Sequence, residues 1–248
     1  MVIYMGLFDK LRKKAGRGRP YCSALIAAAG SSSRMGGGNK LLLPLGDQPV
    51  IAHTLLAVDA AKSIDEIVIA AREDDLLVFA ELCKTCGITK PVKVIIGGAT
   101  REESVLRAAL EANAEASLLA VQDGARPLVT SELIDRTVAL AAKCFAAAPA
   151  VPVHDTIKVA RDGVVRETPD RSALFAVQTP QVFDAGLLKA ALQSALTDNV
   201  QLTDDCSAVE RLGKAVYLTD GSEENIKITT PVDLLLAEAI LEKREGAS

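Results

Sequence analysis

The chain has 248 residues, 49% hydrophobic and 24% charged, which suits one compact α/β domain and argues against a disordered chain. Aromatic residues make up only 3% and Trp is absent, so a nucleic-acid surface built on stacked rings is excluded. The net charge is -4, so phosphate binding has to come from a local cluster of cations and not from the field of the whole molecule.

Charge is uneven along the chain. Residues 1–20 hold Lys10, Arg12, Lys13, Lys14, Arg17 and Arg19 against Asp9 alone. This stretch reads as a basic N-terminal tail, with a true start at Met5 as one possibility. The alternative is a short interfacial helix with Leu7, Phe8 and Leu11 on one side. No apolar run is long enough for a signal peptide or a membrane span, so a cytoplasmic location is expected.

From Tyr21 onward, apolar runs alternate with helical spacing. Residues 22–30 (CSALIAAAG) read as a buried strand entering a glycine loop, and 49–62 as a helix. EIVIAA (66–71) is a second strand. A helix with an acidic first turn spans 73–86 and is closed by Gly87. VKVIIGG (92–98) is a third strand, followed by a helix near 102–112. SLLAVQDGARP (117–127) is a fourth strand ending in a polar loop. This rhythm predicts a mostly parallel, Rossmann-like sheet with helices on both faces, within a single domain over 21–243.

Near residue 150 the rhythm changes. TIKVA (156–160) and VVRET (164–168) flank Asp162-Gly163, a hairpin signal. An isolated hairpin is marginal in water, so this β-arm, about 152–170, is expected to pack on a second subunit. Helices near 184–196 and 204–212, a strand at 215–218 and a final helix follow. Thr230 is that helix's N-cap and Pro231 its first residue. The five cysteines are odd in number and irregular in spacing, so no disulfide framework is expected. Cys83 and Cys86 read as small core residues and not as a zinc or redox pair.

Chemistry concentrates in AAAGSSSRMGGGNKLLLPLG (27–46). Gly30, Gly36, Gly37 and Gly38 leave backbone N–H groups open to phosphate oxygens, and Arg34 and Lys40 add full charge. Reaction at phosphorus demands such donors and cations. The spacing fits neither GxxxxGK[ST] nor GxGxxG. No Ser/His/Asp or Cys/His set is evident.

The loop resembles the signature of the nucleotidyltransferases that activate sugars and polyols. Over about residues 22–242 the chain is similar to the 2-C-methyl-D-erythritol 4-phosphate cytidylyltransferase family. That resemblance is carried in order by the loop, GGATREESV (97–105), VQDGARP (121–127), PVHDTIK (152–158), DRSALFAVQTPQVF (170–183), LTDDCSAVE (202–210) and NIKIT (225–229). It implies CTP and a polyol phosphate as substrates, Mg²⁺ as cofactor, a homodimer, and no nucleic-acid partner. Arg34, Lys40 and Lys227 match catalytic cations. Ala28, Ala29, Gly30, Ser31, Gly98, Ser104, Asp123 and Gly124 match nucleotide-binding positions, Asp123 also lying near the metal. Thr156, Arg171 and Arg126 match the acceptor side, with Thr156 on an arm that crosses to the other subunit and Arg126 shaping the Asp123 loop. The chain departs from the family pattern at Asn39 (usually Pro), Leu41 (usually Gln), Ala99 (usually acidic) and His154 (often Arg). A cytidylyltransferase for ribitol 5-phosphate or another sugar phosphate, a non-catalytic nucleotide sensor, and a nucleic-acid binder acting through residues 10–19 are the rival readings.

Overall fold

The computed structural model describes residues 18–30 and 39–246. Ser31, Arg34, Gly36, Gly37, Gly38 and nearly all of the basic tail lie outside them. The first strand, β1 (Cys22–Ala28), is followed by a 3-10 turn at Lys40–Leu42 and a short hairpin of β2 (Pro44–Leu45) and β3 (Gln48–Pro49). Then come α1 (Val50–Ala60), β4 (Glu66–Ala71), α2 (Leu76–Thr85), β5 (Val92–Ile96), α3 (Arg101–Glu111) and β6 (Leu118–Asp123). The second half adds α4 (Ser131–Cys144), β7 (Ala146–Pro152), β8 (Val159–Arg161), β9 (Val164–Glu167), β10 (Phe175–Val177) and β11 (Gln181–Asp184). It closes with α5 (Ala185–Thr197), α6 (Asp205–Arg211), β12 (Tyr217–Asp220) and α7 (Pro231–Glu245).

One mixed sheet organises the molecule. β4 and β6 flank β1 in parallel, and β5 adds outside β4. β11 joins β6 antiparallel and pairs in turn with β7. Ala147 of β7 faces Val182 on one side and Tyr217 on the other, and Ala150 faces Val177 and Asp220. β10 and β11 therefore share one flank of β7, and β12 occupies the opposite flank.

Strand alternation divides the core into two layers. Cys22, Ala24 and Ile26 of β1, with Ile67 and Ile69 of β4, pack against Ile51 and Leu55 of α1, Phe79 of α2, Ile134 of α4 and Ala237 of α7. Leu25, Val68 and Ala70 point the other way, onto Val105 of α3, Leu188 of α5 and Val209 of α6. Each of the Val, Leu, Ile and Phe side chains among them contributes about 1.5–3 kcal/mol by leaving water. His53 sits on α1 and its Nε2 lies 2.8 Å from the Leu45 carbonyl, a satisfied, half-buried ring. Cys83 is buried in the first layer, where burial pushes its thiol up to about 11.

The expected strands and helices over 22–112 recur within one to three residues. The 73–86 helix divides: a 3-10 turn at Glu73–Asp75 precedes α2, and Gly87 follows it with φ +68°. The expected strand at 215–218 is corrected to Tyr217–Asp220. It is an edge strand with Tyr217 and Leu218 about half exposed, so no buried face marks its register in the sequence. The hairpin expected from Asp162-Gly163 is present as β8 and β9, with positive φ at both turn residues, the pattern of a type I′ turn. All seven of its strand residues are exposed and it forms a sheet of its own.

Candidate active site

The chain leaves β1, builds β4 and β5 on one side, then returns to lay β6 on the other. The carboxyl ends of β1 and β6 therefore flank a switch in strand order, where open α/β sheets take ligands. Ala27 is the register partner of Asp123, so the chain leaves β1 at Ala29 and β6 at Gly124 side by side. Ala28 is buried at the end of β1, Ala29 is half-buried and Gly30 is exposed, with open space where a Cβ would stand.

Asp123 ends β6 and is 6% exposed. Its carboxylate meets Lys227 Nζ at 2.8 Å, an Arg101 guanidinium nitrogen at 3.4 Å and Arg126 Nε at 3.6 Å. Burial by itself raises a carboxyl's pKa. Here the charges of Lys227, Arg101 and Arg126 outweigh it and hold Asp123 down at about 2. Arg101 also pairs with Asp205 at 2.7 Å. Asp205 is fully buried, and that burial raises its carboxyl above the ordinary range against the pull of Arg101. One guanidinium thus stands between two buried carboxylates that are perturbed in opposite directions.

Backbone contacts bring distant segments to this point. The Arg126 guanidinium donates to the Asn225 carbonyl at 2.6 Å, and Ile228 N–H donates to the Ala125 carbonyl at 2.8 Å, which stitches NIKIT onto the Asp123 loop. Lys40 Nζ donates to the Ile228 carbonyl at 2.7 Å. Thr179 Oγ1 accepts the Asp123 N–H, and the Thr179 carbonyl accepts from Asn225 Nδ2. Gly124 N–H donates to the Ala27 carbonyl, and a Cβ on Gly124 would lie 3.4 Å from Leu41 Cδ1. Lys40, Asp123, Gly124, Arg126 and Lys227 therefore share one site.

The glycine turn after β5 closes the crevice beside β1. A Cβ on Gly97 would fall 2.6 Å from Ala29 Cβ, and one on Gly98 would enter the Glu103 side chain. Ser104 Oγ accepts the Gly98 N–H at 2.9 Å and donates to the Thr100 carbonyl. Ala99 carries no acid of its own, and its N–H is taken by Glu103 Oε2 at 2.8 Å.

Of the three acceptor-side residues Arg126 is in this crevice, and the other two lie elsewhere. Thr156 and Arg171 are exposed at the base of the arm. Arg171 donates to the His154 carbonyl, and His154 Nε2 stands 3.1 Å from Glu223. Among the described residues, neither Thr156 nor Arg171 bonds to the crevice. Sequence reasoning missed Arg101, Thr179, Asp205 and Asn225. All four lie inside quoted motifs, but only the fold makes them neighbours of Asp123 or of the segment leading to Lys227.

A crevice of this charge is built for a polyphosphate, which places the chain among the nucleotide-binding α/β proteins that work at phosphorus. The model of the family described as 2-C-methyl-D-erythritol 4-phosphate cytidylyltransferase (IspD) matches residues 22–243. The chain belongs to that family. A protein of this name from Bacillus cereus is 45% identical over 218 residues, covering 88% of this chain and 96% of the relative. One from Syntrophotalea carbinolica is 46% identical over 222 residues, covering 88% and 95%. The crystal structure of 4-diphosphocytidyl-2C-methyl-D-erythritol synthase from Anaerococcus prevotii superimposes with a TM-score of 0.81 at 31% identity, covering 90% of this chain and 99% of that one. The Thermus thermophilus cytidylyltransferase does so with 0.72 at 32% identity, covering 89% and 98%.

Proposed function

We propose that this protein transfers CMP from CTP to 2-C-methyl-D-erythritol 4-phosphate, giving 4-diphosphocytidyl-2-C-methyl-D-erythritol and pyrophosphate. The observation that carries this is the convergence of Lys227, Arg101 and Arg126 on Asp123, with Lys40 tied to the same NIKIT segment. An oxygen of the acceptor phosphate attacks the α-phosphorus of CTP. The new P–O bond forms as the bond to pyrophosphate breaks. The attacking group is already anionic, so no side chain has to remove a proton.

The difficulty is the meeting of two polyanions. Lys40 and Lys227 neutralise charge at the α-phosphate, and Arg34 is assigned the same task from the glycine loop. Ala28, Ala29, Gly30 and Ser31 carry the nucleotide past the end of β1, and Gly98 and Ser104 hold its base and ribose. Gly124 lets the Asp123 loop lie close to β1. Arg126 keeps that loop in shape on the acceptor side.

Mg²⁺ is the cofactor this reading assigns. Asp123 supplies a hard carboxylate oxygen at the carboxyl end of β6, which fits an ion that takes few protein ligands and several phosphate oxygens. When bound, the ion offsets the charge of the triphosphate.

The arm is assigned to a homodimer. Ile157, Val159, Val164 and Val165 are each 40–54% exposed, an apolar surface that a second subunit would cover. Thr156 and Arg171 would then hold the acceptor phosphate at the partner's crevice. Among the described residues no helix is long and apolar enough to cross a membrane. The test is pyrophosphate release with CTP and Mg²⁺. Methylerythritol 4-phosphate is expected to be strongly preferred over ribitol 5-phosphate, and equal or reversed preference would contradict the assignment of the acceptor.

A further inference from the structure

Lys40 is carried by a 3-10 turn of only three residues, too short to hold a side chain firmly by its own backbone bonds. The turn is gripped from both sides. Leu41 is 4% exposed and packs into the core. On the other side Asn39 caps the turn: its Oδ1 accepts the Leu41 N–H at 3.0 Å while its carbonyl accepts the Leu42 N–H at 2.9 Å. Asn39 Nδ2 donates to Asp75 Oδ2 at 2.8 Å, and Arg72 Nε donates to the same oxygen at 2.6 Å.

Asp75 closes the 3-10 turn that leads into α2, with helical backbone angles, and is only 5% exposed. Its carboxylate makes no capping bond to α2. It is turned toward Arg72, which directly follows β4, and toward Asn39. Burying a carboxylate costs stability unless it is paired, so the bond across 36 residues to Asn39 is one that Asp75 needs.

We propose that Asp75, acting through Asn39, is a positioning residue for Lys40. The relay runs from the end of β4 through Arg72 and Asp75 to Asn39, and so fixes the turn whose Lys40 Nζ reaches the Ile228 carbonyl. It replaces the stiffness that a proline at 39 would give the backbone with a side-chain clamp. The inference rests on Lys40 acting as a catalytic cation, as assigned above. A cation displaced by a fraction of an ångström still binds a triphosphate but stabilises the developing charge less well, so the loss falls on kcat.

The experiment compares kcat and KM for CTP in Asn39→Ala, Asp75→Ala, Lys40→Ala and the double variants Lys40→Ala/Asn39→Ala and Lys40→Ala/Asp75→Ala, with thermal midpoints alongside. Asn39→Ala and Asp75→Ala are each expected to lower kcat on the order of 10-fold with KM for CTP changed less than about 2-fold. In the Lys40→Ala background neither should lower kcat further, because the relay acts only through that lysine. Wild-type kcat in Asn39→Ala overturns the proposal. So does a full further loss in either double variant, the mark of a merely structural role. Should Asp75→Ala fail to fold, Asn39→Ala leaves the Arg72–Asp75 pair intact and carries the same comparison. Wild-type turnover in Lys40→Ala strikes the assignment of Lys40 itself, and this inference falls with it.

Discussion

In the crevice, Asp123 is 6% exposed and touches three cations contributed by segments up to 104 residues away in sequence. On the arm, Thr156 and Arg171 are exposed, and the Arg171 guanidinium donates to the carbonyl of His154, 17 residues before it. The first region is over-determined by the main sheet, while the second is a two-stranded ribbon that leaves the sheet altogether. The contrast teaches a division of labour. Groups that must resist the repulsion of two polyanions are pre-organised inside one subunit. Groups assigned to the acceptor in the proposed reaction are held out on an element whose apolar side chains stay exposed among the described residues.

The largest effect should come from the crevice. Lys40→Ala is expected to lose about 10²–10³ in kcat with the fold intact, read from pyrophosphate release and circular dichroism. A loss confined to KM would move Lys40 from the transition state to ground-state binding.

Arg171→Ala should sharpen the contrast from the other side. It removes an exposed side chain, so the thermal midpoint should hold while KM for the acceptor rises by about 10-fold. A matching rise in KM for CTP would place Arg171 on the nucleotide side instead.

Stability against pH separates the two carboxylates that Arg101 joins. Asp123 is depressed from 3.8 to about 2, so its contribution is present above about pH 4 and is lost as pH falls toward 2. Asp205 is raised above 3.8, so its contribution is present below that value and is lost as pH rises through its folded pKa. Lys227→Ala should flatten the acid limb by weakening the hold on Asp123. Arg101→Ala should leave a protein that loses stability more steeply as pH rises from 4 toward neutrality. Thermal midpoints between pH 2 and 7, on the order of a few degrees apart, would read both.

The smallest effect is expected at the arm's tip. Val164→Lys changes a 53% exposed residue, so the monomer's thermal stability should shift by no more than about 0.5 kcal/mol. Sedimentation should nevertheless show weakened self-association. A monomer at all concentrations in the wild type would remove the dimer from the account.

The legible parts of the sequence were those where a local pattern met a buried environment. β1, β4 and β6 are apolar runs because both faces are covered, and α7 opens with the Thr230 cap, Pro231 and an Asp233 that completes the capping box. α4 and β7 carried no expectation. β7 reads AAAPAVP, which apart from Val151 is Ala and Pro of low strand propensity, and Pro149 gives no N–H to the ladder; its strand character is imposed by neighbours on both flanks. The site divides in the same way. Lys40, Asp123 and Lys227 stood out by resemblance, and the first two also by their place at strand ends. Arg101 and Asp205 did not, because a charge relay across 104 residues has no local signature. Asn39 was visible only as a departure from the family pattern, and its bond to Asp75 is what gives that departure a physical role.

Subunit complementation tests most directly whether a crevice in one chain is completed by an arm from another. Differently tagged Lys40→Ala and Arg171→Ala subunits would be refolded together, the mixed dimers isolated through both tags, and turnover measured with CTP, Mg²⁺ and methylerythritol 4-phosphate held well below its wild-type KM, where the raised KM of Arg171→Ala lowers the rate. Each mixed dimer should regain one intact site of two, about half the wild-type rate, while either variant alone stays impaired. Mixed dimers no more active than the variants alone would contradict a shared site and return the acceptor residues to the crevice of their own subunit.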